Sequence, residues 1–78
     1  MIIALCAITA GAALAGDYEI GVRAFMHRNH PKAKEHLLRA VQQSPSGTAY
    51  YFLGEIERTA NNLDLATEYY QKAVQGNI

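Results

Sequence analysis

Apolar residues in this chain recur at helical spacing in four separate stretches, and the interruptions between them carry turn and cap residues. Ile20, Ala24 and the neighbouring Phe25 fall on one face of a first helix, which Arg28-Asn29-His30-Pro31 interrupts. Proline is tolerated in a first helical turn, where its missing N–H would have had no partner. Pro31 therefore opens a second helix, with His30 or Asn29 near its cap and Ala33, Leu37, Ala40 and Val41 on its apolar face. Ser44-Pro45-Ser46-Gly47 ends that helix. A third runs from about Thr48, capped by Ser46 or Thr48, with Tyr50, Leu53, Ile56 and Ala60 as its apolar stripe and Glu55, Glu57 and Arg58 directed at water. After Asn61-Asn62 a fourth helix spans about Leu63 to Gln75 and buries Ala66, Tyr69, Tyr70 and Ala73, and Gly76-Asn77 is a C-terminal stop. The expected fold is all-α, two tandem helix-turn-helix units of about four antiparallel helices.

The two units are copies of one another. Sliding the sequence by 33 positions superposes Tyr18 on Tyr51, Gly21 on Gly54, Asn29 on Asn62, Ala33 on Ala66 and Glu35 on Glu68. In the same register Ala40-Val41-Gln42 falls on Ala73-Val74-Gln75, which makes eight identities without a gap. A helix-turn-helix period of about 33–34 residues is that of stacked helical arrays. Leu53-Gly54, Ala66, Tyr70 and Ala73, with the run Glu68-Tyr69-Tyr70-Gln71-Lys72-Ala73, resemble the tetratricopeptide repeat (TPR) pattern, and Ile20-Gly21, Ala33, Leu37, Ala40 and Pro45 repeat it. Repeat one covers about residues 14–46 and repeat two about 47–78. The sequence departs from the pattern at Asp17, where a large aromatic is usual, at Arg28, where the interhelix glycine is usual, and by one residue fewer between repeats. Gly21 and Gly54 lie inside helices, where glycine costs about 1 kcal/mol against alanine. Paired with Ala33 and Ala66 they permit close helix approach, Ala40 and Ala73 admit the next helix, and Leu37 and Tyr70 fill the space between.

Residues 1–15, MIIALCAITAGAALA, carry no charged side chain. This run is short of the roughly 20 apolar residues that span a bilayer. It has the apolar core of a secretory signal and closes on Ala13-Leu14-Ala15, the small-residue spacing read by signal peptidase. The expectation is an exported or membrane-anchored protein, residues 1–15 being the leader and residues 16–78 the repeat domain. The alternative is a cytoplasmic protein in which residues 2–10 form a helix packed on the first repeat.

Composition narrows the function classes. Seven Lys plus Arg balance seven Asp plus Glu, so no strong field recruits nucleic acid or an anionic surface. One cysteine, Cys6, excludes an internal disulfide framework and a cysteine-rich zinc site. His27, His30 and His36 lie close in sequence, but no carboxylate or thiol completes a recognisable ligand set, so they are expected to be solvated and no metal or other cofactor is expected. Glu55, Glu57 and Glu68 look like solvated helix faces, with Glu68 and Lys72 an i,i+4 pair. No nucleophile has a base and orienting carboxylate, so an enzyme is not expected.

The resemblance to TPR proteins implies a peptide or partner helix held in a groove lined by the first helix of each repeat. Those positions here are Tyr18, Val22, Phe25 and Met26, then Tyr51, Glu55, Arg58 and Thr59. The first set is apolar and the second mixed, which favours an aromatic or aliphatic ligand segment. The subclass that grips a C-terminal carboxylate uses Lys and Asn at positions held here by Val22 and Glu55, so that activity is not expected. The second expectation is a self-assembling structural piece or a fragment of a longer array, because two repeats fall short of the three or so that stability usually needs.

Overall fold

The computed structural model describes residues 16–76. The leader or packed-helix expectation for residues 1–15, and Asn77 as part of the stop signal, fall outside them. The described chain is all-helical: α1 (Asp17–Met26), α2 (His30–Gln43), α3 (Gly47–Thr59) and α4 (Leu63–Gly76). Both ends of α2 and α4 are 33 positions apart, as are the C-terminal ends of α1 and α3. The sequence repeat is therefore a structural one.

The boundaries follow from local chemistry. Asn29 caps α2, its side chain accepting from the Lys32 N–H with Pro31 in the first turn, and Ser46 caps α3 by accepting from the Ala49 N–H. At the other end of each hairpin the chain leaves α1 and α3 through one left-handed residue, Arg28 (φ 63°) and Asn61 (φ 67°). The amide three residues beyond each helix then closes a wide turn, Asn29 N to Ala24 O and Asn62 N to Glu57 O, both 2.8 Å. Asparagine tolerates this conformation, whereas arginine pays about 1 kcal/mol for it. Arg28→Gly is therefore expected to stabilise the domain by about 0.5–1 kcal/mol and raise its Tm by about 4 °C. Asn61→Gly should change it less; a thermal melt in which Arg28→Gly is no more stable than the parent contradicts this account.

Each hairpin is antiparallel: Asp17 at the start of α1 bonds Gln43 at the end of α2, while Phe25 meets His30 across the turn. α3 is the central element and packs against α1, α2 and α4. The core joins Ala24, Ala33, Leu37 and Val41 of repeat one to Ala49, Leu53 and Ile56 of repeat two.

The packing residues expected from the repeat are buried, except that Tyr70 is half-buried. Their division of labour differs from the expectation. A Cβ built on Gly21 would stand 2.7 Å from Leu37 Cγ, and one on Gly54 2.7 Å from Tyr70 Cε1. Each glycine thus makes room for the large residue of the opposite helix, and Ala33 and Ala66 are not its nearest neighbours. Ala60, assigned above to the α3 stripe, is exposed, because it lies past the last turn of the helix, where α4 no longer faces it.

Three polar assignments are corrected. Glu57 does not face water: it is 1% exposed, pairs with Lys34 Nζ at 2.7 Å and accepts from Asn62 Nδ2 at 2.8 Å. Burial pushes its carboxyl up, and the Lys34 ammonium and the Asn62 amide more than offset this, holding it below the usual range. Lys34 lies on α2 and Glu57 on α3, so the ion pair ties the two repeats together. Lys72 stands over the Tyr50 ring, 5.6 Å from its centroid, and no Glu68–Lys72 bridge forms among the described residues. The ring sits across the α3–α4 interface and offers Lys72 a cation–π contact. His36 is half-buried against Asp17 at 2.8 Å, and His30 stacks on Phe25 at 5.5 Å, so two of the three histidines join helices instead of standing in solvent. Asp17 makes a polar tie between α1 and α2; the bond from His36 leads the effects that hold its carboxyl below the ordinary value.

Candidate functional site

Tyr50, Tyr51 and Phe52 are consecutive on α3, and a helix turns 100° per residue, so the three rings leave the helix in different directions. Tyr50 stacks on Tyr69 at 6.1 Å. Phe52 meets Phe25 of α1 at 5.1 Å and Tyr51 at 5.7 Å, and Tyr51 meets Tyr70 of α4 at 6.0 Å. With His30 on Phe25, the result is an unbroken row of rings, His30–Phe25–Phe52–Tyr51–Tyr70, that crosses both repeats. Each step lies within or close to the range in which aromatic pairs attract.

The row is partly open. Tyr51 is 48% exposed and Met26, beside Phe25 in sequence, 73% exposed; Phe25, Phe52 and Tyr70 are half-buried. At its α4 end a polar cluster borders it. The Tyr70 hydroxyl donates to Glu55 Oε2 at 2.6 Å, and Arg58 Nη2 donates to Glu55 Oε1 at 2.6 Å. Arg58, then the Tyr70 hydroxyl, hold the Glu55 carboxyl below its usual range. Burial, then the carboxylate, raise the Tyr70 hydroxyl. Glu55 stays ionised and matches the charge of Arg58, so this edge is polar without net charge.

Of the residues expected to line a groove, the structure brings Tyr51, Glu55 and Arg58 together with Tyr70, and joins Phe25 to them through Phe52. Tyr18, Val22 and Phe25 each spend part of their surface on the core. They are half-buried, so less of the first set is open than its apolar character suggested. Thr59 donates its hydroxyl to the Glu55 carbonyl at 2.9 Å, a bond within its own helix.

Phe52, the link between repeats, is not legible at the sequence level. Its repeat mate is Glu19, and nothing in a run of three aromatics says which ring turns toward α1. Glu57 left a fainter trace: its repeat mate is Ala24, a residue on the apolar face of α1, so the register itself points to a buried position.

Among the described residues no group of three His, Cys, Asp or Glu could hold a metal, and no helix is long and apolar enough to cross a membrane. No protein-family model matches the chain, and comparison with curated proteins and with solved structures finds no match.

Proposed function

We propose that this chain is a TPR-like, non-enzymatic protein-interaction module whose ligand, a peptide or a partner helix, lies along the face formed by α1 and α3. The observation that carries the reading is the continuous aromatic row through Phe25, Phe52, Tyr51 and Tyr70, bordered by exposed Met26 and by the Glu55–Arg58 pair. Aromatics and arginine are the side chains most enriched as interface anchors, and rings already packed on one another lose little freedom when a ligand covers them. An apolar or aromatic ligand segment suits the row. The internally matched charges at its edge favour a ligand that hydrogen-bonds there over one that brings a lone charge. The uncharged run of residues 1–15 supports placement outside the cytoplasm or at a membrane.

Affinity capture from the native host, run on cytoplasmic and extracytoplasmic fractions separately, tests both parts. The partner recovered by the parent chain is expected from the extracytoplasmic fraction and should fall at least about fivefold for Tyr51→Ala and for Arg58→Ala. Both positions are exposed, so far-UV circular dichroism should be unchanged. Equal recovery by the parent and both variants removes the groove.

A further inference from the structure

The repeat contains a built-in comparison. In repeat one the outer face of the hairpin is covered by α3: Leu37 is 0% and Val41 8% exposed, both in the cluster with Ala49 and Leu53. One register later the same face is open. Val74, mate of Val41, is 65% exposed, Tyr70, mate of Leu37, is half-buried, and with Ala73 and Thr48 they line an apolar groove at the junction of α3 and α4.

The internal interface also states what fits such a groove: a helix presenting a small residue, then leucine four positions on, as Ala49 and Leu53 do on α3. α1 has this pattern in register, Gly16 and Ile20 standing for Ala49 and Leu53. Ala24 stands for Glu57 and Thr67 for Lys34, so extending the stack by one register would bring small, uncharged side chains to the place where the internal interface buries an ion pair. A second groove runs beside α1, lined by half-buried Ile20, exposed Arg23 and buried Ala24 together with His27, Asn29 and Lys32. We infer that chains associate head to tail, the α3–α4 groove around Val74 of one copy receiving α1 of the next in the register already used between the repeats. The contact joins unlike faces, so in this register it can be repeated from copy to copy. The groove shares Tyr51 and Tyr70 with the proposed ligand face, whereas Val74 lies outside the row of rings, so a change at Val74 tests this contact separately.

Sedimentation velocity of the full chain from about 5 to 500 μM is expected to show a rising sedimentation coefficient, the span over which modest interfaces populate. Val74→Lys should move the rise to at least about tenfold higher concentration by placing a charge in the groove. Val74 is exposed, so the variant should keep its helicity. Isotope-labelled Val74→Lys chain has a blocked groove but an intact α1, so unlabelled parent chain should shift the amides around Ile20 and Arg23 and leave those around residue 74 in place. A parent chain monomeric throughout, association unchanged by Val74→Lys, or shifts that avoid α1 would each overturn the inference.

Discussion

Lys34→Ala is expected to unfold most of the domain at neutral pH. The substitution removes the cation from a Glu57 carboxylate that is 1% exposed in the parent and leaves only Asn62 to bond it, and breaking a buried pair from one side costs about 3–5 kcal/mol. A core of this size supplies about the same in total. Glu57→Ala should cost less, because Lys34 is 41% exposed and can turn its ammonium to water. Replacing both by methionine removes charge and partner together and should return stability to within about 1 kcal/mol of the parent or above it. Urea denaturation followed by circular dichroism measures all three; a Lys34→Ala cost under about 1 kcal/mol would place the pair with exposed bridges.

Acid gives the same pair a distinctive signature. In the parent, Glu57 titrates below its ordinary value, as do Glu55 and Asp17. Their stabilisation is present above the unfolded-state values of about 4 and lost as pH falls through the lower folded-state values. Without Lys34, burial, the largest influence on Glu57, is opposed only by the Asn62 hydrogen bond, so the folded-state value rises toward or above the unfolded one and protonation favours the fold. The penalty of Lys34→Ala should therefore shrink between pH 7 and pH 4. A penalty independent of pH would mean that the carboxylate reaches solvent or another cation.

Gly21→Ala is the second large effect, expected to destabilise by about 1–2 kcal/mol net even though alanine is the better helix former. The added methyl would meet Leu37 Cγ at 2.7 Å, Cδ2 at 3.0 Å and the Leu37 backbone nitrogen at 3.2 Å. Leu37 is fully buried and has nowhere to move. Overpacking of this kind costs about 1–3 kcal/mol, and the upper part of that range exceeds the propensity gain of about 1 kcal/mol. Gly54→Ala makes an equally close contact, but with the ring of half-buried Tyr70. That ring can swing toward solvent at the loss of its hydrogen bond to Glu55, so the net cost should stay under about 1 kcal/mol. Paired thermal melts decide it: a Gly21→Ala domain that melts above its parent would show that α1 and α2 can separate freely.

The two glycines show where local pattern stops being informative. Their mid-helix position announces a close approach, since glycine there is otherwise unfavourable, and that much follows from the chain alone. Which side chain occupies the space depends on how the opposite helix is rotated. The repeat mates Leu37 and Tyr70 fill it with different freedom because α3 covers one and leaves the other half-open.

Helix number, order and ends were written into the sequence by itself, through apolar residues at spacings of three and four, Asn29 and Ser46 as caps, and the 33-residue register. These are properties of neighbours along one chain, within reach of local hydrogen bonding and one helical face. Only the tertiary structure decided that Glu57, whose register mate Ala24 hinted at burial, pairs with Lys34, and that Phe52 joins the repeats. A charged or aromatic side chain on a helix can lie on the water side or the packed side, and the choice turns on what stands across the interface. For Glu57 that neighbour is Lys34, for Phe52 it is Phe25, and each is contributed by a helix whose position no spacing along α3 encodes.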